Sequence, residues 1–190
     1  MKRRFFLLSI VLVFADQIIK VFIFNICMDP HVHIVFFDNV LYFCPMQNTQ
    51  GFNIVITRLA SALFDVDISH PPFALQIGLV IFVAGLTLFA ALYFVYVSKE
   101  FHRFIYCYLL FMIVGTVCRL IDAIFWGGSI DYIGLFDWFI FDFKDVYITA
   151  GGTFAVLALI RYLRAYYKLD KEERKQQGKG FWAWMKKGCR

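Results

Sequence analysis

Residues 5–27 read FFLLSIVLVFADQIIKVFIFNIC, an apolar run broken by Asp16, Gln17 and Lys20. A helix rises about 1.5 Å per residue and needs about 20 residues to cross the hydrocarbon core of a bilayer, so this run spans a membrane. A charge at that depth costs about 2.5–3.5 kcal/mol on insertion scales, which makes each one a functional hypothesis by default. Asp16 and Lys20 are four residues apart on one helical face and are placed to pair.

Three more runs of this kind follow, at 72–97, 103–125 and 145–167. Together they account for the composition: 61% of the 190 residues are hydrophobic, 17% are charged, and mean hydropathy is +0.68. Soluble domains carry about 25% charged residues, so an ordinary water-soluble domain is excluded. The wealth of aromatics excludes a disordered chain. The fold expected is a single membrane-embedded domain over 1–190, an all-α core of four transmembrane helices with a small extracytoplasmic β-sheet after the first.

Of the 19 Lys and Arg, Arg58 and Lys144 fall in the loops 28–71 and 126–144, and Lys20 and Arg119 lie within spans. Of the other fifteen, thirteen flank the opposite ends of the spans and two, Arg161 and Arg164, lie in the last turns of the fourth run. Positive charge stays cytoplasmic, which puts both termini inside and the two loops outside. The basic tail 168–190 follows a span directly and mixes in Asp170, Glu172 and Glu173, so it reads as a topological anchor, with no nucleic-acid partner expected. Its Phe181-Trp182-Ala183-Trp184 stretch reads as an interfacial foot. The first span begins like a signal peptide but lacks a small-x-small cleavage site before Gln17, so it is expected to stay attached.

In the outward region 28–71, His31 to Phe37 and Val40 to Cys44 read as two strands joined by a turn at Asp38-Asn39. Residues 54–64 have the spacing of a short surface helix. His31 and His33 share a strand face, which suits a metal only if a third ligand converges, and a solvated face is expected. No Cys-x-x-Cys occurs; Cys27 and Cys44 both face outward and are read as either a disulfide or two free thiols. The loop 126–144 packs acids among aromatics, more acids than anchoring at the interface requires.

Arg119 and Asp122, three residues apart in the third span, are a second pair on one face. Asp131 and Asp145 differ from these: one lies in the loop after the third span and the other opens the fourth, so the topology brings both to the outer surface. Two carboxylates a few ångströms apart share a proton and titrate in two steps. Such a pair supplies a base to activate water and an acid to protonate a leaving amine, the chemistry of aspartic proteases. Ser61, Ser69, Ser98 and Ser129 lack the surroundings of a serine hydrolase nucleophile, and there is no His-Glu-x-x-His metal motif.

At these residues the sequence resembles lipoprotein signal peptidase (signal peptidase II), along nearly its whole length. Asp16-Gln17-Ile-Ile-Lys20 resembles the family's Asp-Gln-x-x-Lys, and Asn48-Thr49 the start of its Asn-Thr-Gly, with Gly51 one residue late. Asp122 fits the Asp of Gly-Asn-x-x-Asp-Arg, Gly127 and Ile130-Asp131-Tyr132 fit the Gly and the Val-Asp-Phe that follow, and Phe141-Asp142-Phe-Lys144-Asp145 resembles Phe-Asn-x-Ala-Asp. The resemblance implies a catalytic dyad of Asp131 and Asp145. It also implies supporting or substrate-binding roles for Asp16, Gln17, Lys20, Asn48, Gly51, Arg119, Asp122 and Asp142. Four positions depart from the pattern. The family's Asn and Arg around Asp122 are here Arg119 and Ala123, and Arg119, one helical turn from position 123, is a candidate replacement cation. Asp142 and Lys144 stand for Asn and Ala, adding an anion and a cation beside the dyad.

The implied protein is an aspartic endopeptidase of the cytoplasmic membrane of a bacterium. It would cleave signal peptides from diacylglyceryl-modified prolipoproteins as a monomer among membrane lipids, with no metal or cofactor. The rival readings are a catalytically degenerate homologue in which the acids only form ion pairs, and a small proton-coupled transporter relaying through Asp16, Lys20 and Arg119.

Overall fold

The computed structural model describes residues 2–28, 32–38, 40–49, 73–98, 103–136, 138–168 and 170–187. Gly51 and the helix expected at 54–64 lie outside them, as does His31. In chain order the elements are α1 (Lys2–Ile26), β1 (Ile34–Phe37), β2 (Leu41–Asn48), α2 (Phe73–Ser98) and α3 (Arg103–Ile121). A π-helical turn (Asp122–Trp126), β3 (Ser129–Leu135), β4 (Phe139–Phe141), α4 (Phe143–Tyr166) and α5 (Lys171–Lys186) follow.

Among the described residues, three helical segments are long and apolar enough to cross a membrane: Arg3–Ile26, Arg103–Trp126 and Phe143–Tyr166. α2 occupies the place of the other expected span and contributes a shorter apolar stretch, Val80–Tyr96. The helices are turned inside out relative to a soluble bundle. On α1, Asp16, Lys20 and Ile23 are buried at helical spacing, while Phe6, Val11, Phe14, Ile18 and Phe22 are exposed. Lipid accommodates such a face, whereas water would penalise it. α3 packs against α1, α2 and α4. Its Leu110, Val114 and Cys118 form an apolar core with Tyr147 of α4.

The four strands form one antiparallel meander in the order β1-β2-β3-β4. The hairpin expected around Asp38-Asn39 is present as β1 and β2. The loop 126–144, read only as an interfacial stretch, instead folds into the second hairpin and supplies half the sheet. The two loops therefore meet along the β2–β3 ladder, with Met46 opposite Asp131 and Asn48 opposite Ser129. Two glycines permit this junction. Gly127, at φ 61°, takes the left-handed conformation that turns the chain out of the π-helical turn. Gly128 then runs so close to the Asn48 carbonyl that an added Cβ would lie 2.5 Å from its oxygen. Ile130 and Tyr132 of β3 pack with Ile23 of α1, seating the sheet on the end of the helices.

The tail also departs from expectation. Phe181 of α5 is buried against Phe89, Tyr93 and Tyr96 of α2, and Trp184 stacks on the same group. Phe181 is thus packed internally against the aromatic face of α2. Cys27, Cys44, Cys107 and Cys118 are free thiols.

Candidate active site

The acids of both loops and the charges of α1 and α3 converge on one buried cluster. From α1, the Lys20 ammonium lies 2.9 Å from Asp16 Oδ2, 2.7 Å from Asp122 Oδ2 and 2.7 Å from Asp142 Oδ2. All four side chains are fully buried. The expected Asp16–Lys20 pair is therefore present, but Lys20 is shared among three carboxylates from three elements. Gln17 donates to Asp16 Oδ2 at 2.9 Å and Asp122 Oδ1 at 3.3 Å, and accepts from Trp126 Nε1 at 3.2 Å. Asp122 takes cations from Lys20 and, at 3.5 Å, from Lys144, both on other elements. Arg119 is half-buried on α3.

Asp131 enters from β3. Its Oδ1 accepts a hydrogen bond from Ser129 Oγ at 2.6 Å, and its Oδ2 accepts one from Asn48 Nδ2 at 2.9 Å. Ser129 is two residues before Asp131, so strand geometry puts both on one face. Asn48 ends β2 opposite Ser129, so the β2–β3 register aims its amide at the carboxylate.

Asp145 enters from the first turn of α4. Asp142 is the N-cap of that helix: its Oδ1 accepts from the Asp145 backbone N–H at 3.1 Å, while Asp145 Oδ2 accepts from the Asp142 N–H at 3.4 Å. This reciprocal box fixes Asp145 at the third helical position, where the helix N-terminus favours a negative charge. Carboxylate oxygens of Asp131, Asp142 and Asp145 all lie within 4.8 Å of one another. The side chain of Asp131 is 4% exposed and that of Asp145 43%, so one carboxylate is walled in and the other opens outward.

Lys144 sits at the centre. Its Nζ lies 2.7 Å from Asp142 Oδ2, 2.5 Å from Ser129 Oγ, 3.7 Å from Asp131 Oδ1 and 3.8 Å from Asp145 Oδ2. Three clustered carboxylates are a donor set of the kind that holds a divalent cation, but here an ammonium already stands within ion-pair distance of all three. Burial pushes the Asp142 carboxyl up, yet Lys144 and Lys20, each at 2.7 Å, outweigh it and hold it below the usual carboxylate range. The close Ser129–Lys144 contact has the spacing of a serine–lysine nucleophile pair. A lysine base must be neutral, however, and four carboxylates within 4 Å hold this one charged.

The structure thus gathers Asp16, Gln17, Lys20, Asn48, Asp122, Asp131, Asp142 and Asp145 at one site. Ser129 is an addition that the sequence reading did not place there, and Lys144, read as a cation beside the dyad, stands between its two carboxylates. Ser129 is visible only once 129–135 is known to be a strand, and Lys144 was noticed solely as a departure at a position that resemblance assigns to Ala.

Residues 8–161 match the family model described as Signal peptidase (SPase) II. Two solved structures, each described as a bacterial membrane enzyme, share the fold with TM-scores of 0.56 and 0.53, both at 18% identity. They cover 83% and 82% of this chain, and 88% and 92% of their own lengths are covered in turn. No curated protein matches the sequence.

Proposed function

The chain belongs to the signal peptidase II family, and on that premise we propose that it is an aspartic endopeptidase that removes signal peptides from diacylglyceryl-modified prolipoproteins. The observation that carries the reading is the convergence of Asp131 and Asp145, one from a strand and one from the first turn of a helix, to within 4.8 Å at the edge of the apolar helices. One carboxylate takes a proton from a water molecule, whose oxygen attacks the scissile carbonyl. Its partner gives a proton to the carbonyl oxygen and later one reaches the amine as the C–N bond breaks. Five carboxylates and two ammoniums make the cluster rich in acid, so protons must be shared within it, which is the condition this chemistry needs.

The supporting residues take distinct parts in this reading. Asn48 and Ser129 hold the Asp131 carboxylate. Asp16, Gln17, Lys20 and Asp122 tie α1 to the end of α3, and Asp142 sets Asp145 on α4. Arg119 and Gly51 are assigned to substrate contacts. In this reading α2 spans with the other three helices, both termini are cytoplasmic, as the flanking positive charge supports, and the sheet and dyad lie at the outer face of a bacterial cytoplasmic membrane. The substrate's signal helix and acyl chains then lie in lipid and present the bond at fixed depth, so positioning supplies part of the catalysis. The enzyme acts as a monomer and its partners are that substrate and the surrounding lipids.

Purified protein incubated in detergent with a lipid-modified prolipoprotein tests this. Cleavage by wild type and by neither Asp131→Asn nor Asp145→Asn is the expected result. Cleavage by both variants would refute the dyad, and a folded wild type that never cleaves while a control peptidase does would mark a non-catalytic homologue. A proton flux across proteoliposomes would favour the transporter.

A further inference from the structure

Lys144 is nearly equidistant from the two carboxylates of the proposed dyad, 3.7 Å from Asp131 and 3.8 Å from Asp145. It is not free to close on either, because Asp142 at 2.7 Å and Ser129 at 2.5 Å pin its ammonium. Asp142 is held ionised by Lys144 and by Lys20, which lies 2.7 Å from the same oxygen, so it does not rely on Lys144 alone. The Lys144 charge also acts on both carboxylates of the dyad at under 4 Å. We propose that Lys144 is a positioning residue of the dyad: its ammonium, pinned by Asp142 and Ser129 between Asp131 and Asp145, sets the pH window in which one of the two is ionised and the other protonated. This rests on the dyad reading above.

The groups facing Lys144 come from every element around it. Asp122 stands at the end of α3, Ser129 and Asp131 on β3, Asp142 and Asp145 at the start of α4, and Lys20 with its partner Asp16 on α1. A cation near two carboxylates favours the ionised form of each, and equal distances favour both alike. The active window of a proton-sharing pair then moves to lower pH as a whole, without choosing which member is base. A direct ion pair with one carboxylate would remove it from catalysis, whereas the observed spacing leaves room for a water molecule's proton to be transferred.

The test is the pH profile of kcat/KM for cleavage of a diacylglyceryl-modified prolipoprotein by the full-length protein in detergent. Wild type, Lys144→Met, Lys144→Ala and Lys144→Arg are compared, with Asp131→Asn and Asp145→Asn run beside them. The neutral variants are expected to shift the whole bell to higher pH by about one to three units, the Coulomb effect of one charge near 4 Å between water-like and protein-like screening. Lys144→Arg is expected to keep the wild-type position. A bell that stays in place while kcat/KM falls would make Lys144 merely structural and overturn the proposal. So would a failure of both neutral variants to fold where Lys144→Arg folds. Cleavage by the two Asp→Asn variants at wild-type rates would instead refute the dyad itself, wherever the Lys144 profiles fall.

Discussion

The two ends of the helical bundle are built on opposite principles. At the sheet end, Asp16, Lys20, Asp122, Asp142 and Lys144 are all buried; Lys20, Asp122, Asp142 and Lys144 meet opposite charges from other elements, and Asp16 pairs with Lys20 on its own helix. At the other end, α2, α4 and α5 meet through rings: Phe181 packs on Phe89, Tyr93 and Tyr96, and the Tyr93 and Tyr162 hydroxyls lie 2.9 Å apart. Buried ion networks contribute little net stability, because desolvation cancels most of the attraction, whereas aromatic packing stabilises directly. On the proposed reading, the charged end carries the chemistry while the ring contacts at the other end serve cohesion alone. The difference explains why a protein so rich in apolar residues tolerates seven ionisable groups in contact.

Substitutions break or sharpen this contrast. The largest effect is expected at the sheet end on turnover alone: Asp131→Asn and Asp145→Asn should each lower cleavage by about 10³-fold or more, the scale of lost acid–base catalysis, in a single-turnover assay. Lys20→Met should be the most damaging change to folding, about 3–5 kcal/mol, because it strands three buried carboxylates; thermal unfolding in detergent reads it. At the ring end, Phe181→Ala should cost about 3 kcal/mol of stability by opening an aromatic core, with kcat/KM of the folded fraction unchanged.

A pH titration of stability separates the ends further. Asp142 is held below its ordinary value of 3.8 in the folded protein. Its contribution is therefore fully present above that value and disappears as pH falls through the depressed one. The stability margin of wild type over Asp142→Asn should be constant near neutrality and shrink below about pH 4. A margin that grew on acidification would contradict the network as drawn. The smallest effect expected is Tyr93→Phe, which removes one hydroxyl contact and should cost about 1 kcal/mol with no change in turnover.

Local pattern carried much of this architecture. Length and hydropathy marked the apolar helices, four-residue spacing paired Asp16 with Lys20, and Asp38-Asn39 marked the first hairpin. The second hairpin was hidden because β3 is covered on both faces: Ser129 to Tyr132 are all buried, so no alternation of polar and apolar residues announces a strand. Contacts across the chain were hidden for another reason. Nothing in the neighbourhood of Lys20 indicates that it also serves Asp122 and Asp142, about a hundred residues away. Lys144, in the place of a small residue, looked like a local perturbation, and only the fold shows it at the centre of the carboxylates.

On the proposed reading, Asp131 is there for chemistry and Phe181 for cohesion. Measuring cleavage rate and unfolding temperature of Asp131→Asn in one preparation tests it most directly. Cleavage is expected to vanish while the unfolding temperature stays within a few degrees of wild type, the scale of about 1 kcal/mol. A variant that unfolds early yet cleaves in proportion to its folded fraction would show Asp131 to be one more structural ion-pair member, and the contrast between the two ends would fail.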